Sequence, residues 1–187
     1  MSRAYRIAVE ESLTRIIKAH DGVKSKVDML PVLGKEDMNN ILAQELEKDG
    51  FDREGDVCKK EEDGIVVTVD LGAREVEIKA SKECEVEVKK TANAMVDRDH
   101  ADIKKEEEKI KNKLCQELEK DVDKAQEQLQ KEITDRLEKQ VHQQLDKINA
   151  AATRATGSAL KVKAAQMGEI KEISEGSNGQ ISIKVKV

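Results

Sequence analysis

The 187-residue chain carries 1% aromatic residues, Tyr5 and Phe51, with no Trp, so any core must be built from aliphatic side chains rather than rings. Lys+Arg 34 against Asp+Glu 39 gives a net charge of −5 with both signs mixed along the chain, which argues against nucleic acid as the ligand because there is neither a basic field nor a stacking surface. No apolar run approaches the ~20 residues that span a bilayer, Met1–Tyr5 lacks the apolar core of a signal peptide, and Cys58, Cys84 and Cys115 are odd in number and widely spaced, as befits reduced thiols in a cytoplasmic protein.

At the start, Tyr5, Ile7 and Val9 alternate with polar residues and predict a half-buried strand over 3–10. Further strands are expected over 12–19 and 23–30, with His20-Asp21-Gly22 as a turn between them. Pro31, the single proline, cannot donate to a ladder and ends the pairing. Met38, Ile41, Leu42 and Leu46 then line one face of a helix over 35–48, stopped by Asp49-Gly50. Glu62-Asp63-Gly64 turns into a strand over 65–71, Gly72-Ala73 turns again, and 75–79 and 84–88 alternate charged with apolar residues. Strands with one wet face belong to an antiparallel sheet, covered on its other side by the 35–48 helix.

Between Gly72 and Gly157 there is neither glycine nor proline, and from about Asn93 to Ala152 nearly every residue is a helix former. Thr91 or Asn93 would cap this helix, Asp97, Asp99 and Asp102 would favour its positive end, and Arg154 with Gly157 would suit the other. If continuous, a helix of about 60 residues would run about 90 Å. Its stripe comprises Ile103, Ile110, Leu114, Leu118, Val122, Ala125, Leu129, Ile133, Leu137, Val141, Leu145 and Ile148. The spacing is mostly four, which disfavours a left-handed leucine zipper and suits a helix that touches different neighbours along its length. Burying such a stripe is worth at most a few tens of kcal/mol, at ~1.5–3 kcal/mol per side chain. The expected oligomer interface is therefore Ile110, Leu114, Leu118, Val122, Leu129, Ile133, Leu137, Val141, Leu145 and Ile148.

Beyond Gly157-Ser158, periodicity leaves 159–163 open between helix and strand. Residues 169–173 and 181–187 read as a hairpin around the turn cluster 174–179, in which Asn178-Gly179 is the strongest turn dipeptide. An isolated hairpin is marginal, so this one needs a sheet to join or another copy to pair with.

Reactive chemistry finds little footing. His20, His100 and His142 share no metal-ligand spacing, and a solvated surface position is the better reading for each. Glu106-Glu107-Glu108 and Glu117, Glu119, Asp121 and Asp123 lie on a helix that points neighbouring carboxylates apart, unlike a calcium loop. Neither a phosphate-binding glycine loop nor a Gly-x-Ser-x-Gly elbow is present. No cofactor, metal or catalytic residue is expected.

The segments MSRAYRIAVEESL and GVKSKVDMLPVL, followed by EDMNNILAQELEKDGF, resemble the openings of small bacterial proteins encoded with AAA+ ATPases of the MoxR or FtsH type and with von Willebrand A proteins. The likeness covers about the first fifty residues and rests on structural motifs, so it carries over no functional residue. It implies a non-enzymatic accessory of an ATPase system, with defence as one setting.

The expected fold class is α+β: a small antiparallel-sheet domain with one helix over 1–90, a long coiled-coil-type helix over 91–156, and a C-terminal β-hairpin over 157–187. The leading functional expectation is a non-enzymatic oligomerising scaffold or adaptor that assembles through the long helix, a homo-oligomer with an AAA+ ATPase as a further partner and with no nucleic acid or membrane. The alternative is a holdase-type chaperone or substrate-delivery factor that captures clients on exposed apolar helix surface.

Overall fold

The computed structural model describes residues 4–97, 103–175 and 181–186. In chain order these form β1 (Ala4–Lys26), α1 (Lys35–Lys48), β2 (Asp52–Glu54), β3 (Val57–Glu62), β4 (Ile65–Asp70), β5 (Glu75–Asp97), α2 (Ile103–Met167), β6 (Glu169–Glu175) and β7 (Ile181–Lys186). Five strands make one sheet in the order β1-β5-β4-β3-β2, and β6 and β7 pair separately. The chain is thus the expected mixture of an antiparallel sheet, a short helix, a long helix and a C-terminal hairpin. It divides into two compact units, residues 1–20 with 81–134 and residues 21–80 with 135–187, so that β1, β5 and α2 each contribute to both.

In the unit of 21–80 and 135–187, turn chemistry sets the sheet. Asp63 and Gly64 both adopt left-handed backbone, φ 52° and 70°, which matches a two-residue turn to the twist of β3 and β4. These strands pair from Val57↔Asp70 to Glu62↔Ile65, and β4 pairs with β5 from Ile65↔Ala80 to Asp70↔Glu75. Alternate side chains Ile65, Val67 and Val69 of β4 and Val76, Ile78 and Ala80 of β5 are buried, as the period of two requires. On α1, Met38, Leu42, Ala43 and Leu46 are fully buried. The helix ends where Gly50, at φ 85°, lets its own N–H reach Glu47 O at 3.0 Å and that of Phe51 reach Leu46 O at 3.1 Å. These two hydrogen bonds satisfy carbonyls that the helix leaves open. Ala151, Ala155 and Ala159 recur at every fourth position of α2 and are all fully buried. Small side chains at that spacing let a neighbour approach the helix backbone closely.

In the unit of 1–20 and 81–134 the sheet is narrower. Among the described residues β4 stops at Ala80 of β5, so β1 is the only strand beside residues 82–97. Ile7, Ile17 and Ala19 of β1 are buried, whereas Val9, Leu13, Cys84, Val86 and Val88 are half-buried. On α2, Leu114, Leu118, Val122, Leu129 and Ile133 are buried.

Several boundaries differ from those expected. No turn occurs at Asp21-Gly22, and β1 is one strand of 23 residues. Gly22 serves a close approach instead, since a Cβ there would lie 3.1 Å from the Lys79 side chain and 3.2 Å from Ile78 O. Glycine in a strand marks such contacts as well as turns, and periodicity alone does not separate the two. Likewise 75–79 and 84–88 belong to the single strand β5, which runs through Thr91 and Asn93 to Asp97, so neither of those residues caps α2. Their helix-forming neighbours are overridden by the half-buried alternation of Cys84, Val86, Val88, Ala92 and Ala94. At its other end α2 continues through Arg154, Gly157 and 159–163 to Met167, for 65 residues in all. Gly157 is buried, where packing offsets its poor helix propensity. His100, Asp99, Asp102 and the turn dipeptide Asn178-Gly179 lie outside the described residues.

Candidate protein-interaction site

The α2 stripe was expected to face a second chain, and its surroundings decide what surface remains for a partner. Leu114, Leu118, Val122, Leu129, Ile133, Leu137 and Ile148 are between 1% and 6% exposed in a single chain. Ile110, Val141 and Leu145 are half-buried. The spacing of four thus places seven of the ten side chains in the protein's own core.

Polar groups beside the stripe fix α2 in place. Within the unit of 1–20 and 81–134, Gln126 Nε2 donates to Lys18 O at 2.6 Å and Gln130 Nε2 to His20 O at 3.0 Å. Both acceptors belong to β1, the edge strand of the sheet, so α2 side chains occupy edge carbonyls that would otherwise await a further strand. Ion pairs add Lys90–Asp121 at 2.7 Å, Lys82–Glu132 at 2.7 Å and Lys111–Glu11 at 3.1 Å. The hydrogen bond from Lys90 holds the Asp121 carboxyl below its ordinary pKa and raises that of Lys90 in return.

Within the other unit, Arg154 Nε donates to Glu45 at 3.1 Å and its Nη2 to Asp49 at 2.6 Å. The Glu45 side chain is 7% exposed and also takes Lys48 at 2.6 Å. Lys48 first, and Arg154 with it, hold Glu45 below the usual carboxylate range against the opposing effect of burial. Burial pushes the Cys58 thiol up, away from the reactive thiolate. Cys84 is half-buried and Cys115 exposed, and all three thiols are free.

The described residues offer little that is arranged for reaction. His20 and His142 are exposed, and among the described residues no group of three or more His, Cys, Asp or Glu side chains gathers around a point. A cavity of about 530 Å³ is lined by Asp28, Met29, Leu30, Thr153, Thr156 and Leu160 among others, with one carboxylate as its sole ionisable group. A second, of about 410 Å³, lies by the start of α1 between Lys35, Glu36, Asn39, Asn40, Asp56 and Gly72. Asn39 Oδ1 beside it is buried without a hydrogen-bond partner among the described residues.

A family model described as FtsH ternary system domain X5 matches residues 1–187. The chain belongs to this family. The likeness of its opening to accessory proteins of FtsH-type AAA+ systems therefore extends over the whole X5 domain rather than the first fifty residues. No curated protein and no solved structure matches it. No described helix of the X5 domain is long and apolar enough to cross a membrane.

Three groups of residues in the X5 domain carry roles that its sequence does not announce. Gln126 and Gln130 read as ordinary polar positions flanking the stripe, and nothing in their spacing tells that they meet β1. Arg154 reads as a partner for the helix dipole at a C-terminus, yet it lies inside α2 and pairs with α1. The side of β5 over 82–97 that has no strand beside it among the described residues is hidden in the sequence because 84–88 reads as a separate short strand.

Proposed function

We propose that this X5 domain is a non-enzymatic scaffold or adaptor in an FtsH-type AAA+ system. The observation that carries the reading is the whole-chain match to an FtsH ternary system domain. It is supported by the use the fold makes of its ionisable groups: Glu45, Arg154, Lys90 and Asp121 are all committed to tertiary pairs. Self-assembly belongs to this reading, but it must use surfaces other than Leu114, Leu118, Val122, Leu129, Ile133, Leu137 and Ile148, which are buried within one copy. The same burial leaves Ile103, Val162 and Met167 as the exposed large apolar side chains of α2, a smaller and more scattered surface than a holdase-type chaperone would need to capture clients.

Mixing the purified chain with the FtsH-type AAA+ protein of its system tests the proposal. A defined complex is expected, with ATP hydrolysis or proteolysis by the AAA+ protein altered in its presence. Two components that migrate separately with and without ATP would contradict it.

A further inference from the structure

The main sheet treats its edges unequally. On one side β1 has carbonyls of Lys18 and His20 occupied by Gln126 and Gln130 of α2. On the other, β2 is three residues long. Between them the outer segment of β5, beyond Ala80, has β1 on one side and among the described residues no strand on the other. Its outward side chains Glu83, Glu85 and Glu87 are exposed and acidic. Glu83 meets Lys18 and Glu87 meets Lys89, each at 2.8 Å, in exposed pairs weak enough to exchange partners. Cys84, Val86 and Val88 on its inner face are half-buried. Such a strand is a template for another.

The hairpin of β6 and β7 supplies a matching strand. It stands as a separate two-stranded sheet, a size that is marginal by itself. The pairing is irregular between Ile170 and Glu172 on β6, which spoils that edge for addition. The other edge is β7, where Lys184 and Lys186 are exposed while Ile183 and Val185 are half-buried. Lys184 meets Glu172 of β6 at 2.6 Å in a solvent-exposed pair, which a second acidic partner can share. The two strands thus share one alternation and carry opposite charge on the outward face.

We infer that β7 of one copy adds to the free edge of β5 in a second copy, pairing Lys184 and Lys186 with the glutamates at 83, 85 and 87 and aligning Ile183 and Val185 with Val86 and Val88. Main-chain hydrogen bonds join the strands and the alternation fixes which faces meet. Because the two surfaces differ, the contact is head-to-tail, closing into a ring or running on as a filament. This deepens the self-assembling scaffold reading and rests on it, while docking to an AAA+ protein is independent of it.

The test uses the full chain alone, followed by light scattering across a range of concentrations. The unmodified protein should exceed the 20.9 kDa of one chain, and raising salt should lower that mass. K184E/K186E and E85K/E87K alter exposed positions on opposite strands, so misfolding of either, seen by circular dichroism, leaves the other to decide. Each variant alone should fall to the single-chain mass, because it faces like charge with like. Mixed in equal amounts the two should regain the larger mass, since each edge then meets its opposite. A single-chain mass for the unmodified protein at every concentration, variants that keep the larger mass, or a mixture that stays dissociated would each overturn the inference. None of these results touches association with the AAA+ protein, which is measured separately.

Discussion

The two units draw on the same strands and the same helix, yet they close their cores to different degrees. In the unit of 21–80 and 135–187, β4 and β5 side chains Ile65, Val67, Val69, Val76, Ile78 and Ala80 are at most 2% exposed. In the unit of 1–20 and 81–134, the equivalent inward positions Cys84, Val86 and Val88 on β5 are only half-buried. The difference follows from sheet width. With rings nearly absent, aliphatic side chains must be covered by several neighbours at once. A sheet that includes β2, β3 and β4 supplies those neighbours, whereas two strands leave their inner face open at the sides.

The largest expected effect lies in the wider unit. Leu42→Ala, at a fully buried position of α1, should cost about 2–5 kcal/mol of stability through lost transfer energy and the cavity it leaves. Val86→Ala, on the half-buried face of β5, should cost about 1 kcal/mol. Urea denaturation of both variants measures the ratio, and equal losses would break the comparison. Next in size is Gly168→Ala. A methyl group at Gly168 would run into the carbonyl oxygen of Lys186, so the last turn of α2 and β7 cannot both keep their places. Overpacking of this kind costs about 1–3 kcal/mol. Its mark should be faster amide exchange in β6 and β7 with the α1 region unchanged, and uniform exchange throughout would refute a local clash.

Where local chemistry and tertiary demand agree, the sequence is readable. Asp63-Gly64, Asp49-Gly50 and the Met38, Leu42, Leu46 face name their turn, stop and buried side correctly because each depends on residues a few positions apart. The stripe of α2 was legible as buried, but not what buries it, since the coverings on β1 and β5 are distant in the chain. The helix start is illegible for a related reason: Ala92, Asn93 and Ala94 have little strand preference, and only the sheet beside them extends β5 to Asp97. The interaction edge of β5 was illegible altogether, because an unpaired side becomes visible only once its neighbours are placed.

Arg154→Ala sharpens the comparison through charge. Arg154 bonds Glu45 and Asp49, and bonds to charged groups contribute about 1.5–3 kcal/mol each. Since the Arg154 side chain is 44% exposed, solvent screening brings the expected loss down to about 1–2 kcal/mol. The pH dependence has a definite sign. Glu45 has a folded pKa below its ordinary 4.5, so its contribution is complete above that value and disappears as pH falls through the lowered folded value. Removing Arg154 lets the folded pKa rise toward 4.5 and flattens the acid limb of the stability curve. A loss that is the same at neutral pH and well below 4.5 would show that Arg154 acts by packing alone.

The smallest effect is expected at Gln126 and Gln130, although both reach from α2 to the β1 backbone. Both bonds are exposed, so replacing the two glutamines with alanine leaves the Lys18 and His20 carbonyls free to bond water rather than stranded. The cost in stability should therefore stay within about 1 kcal/mol, against several for a buried acceptor left unpaired. A larger loss by urea denaturation would mean that these carbonyls are shielded from solvent, and that the narrower unit is held by polar closure of its edge rather than by the aliphatic stripe of α2.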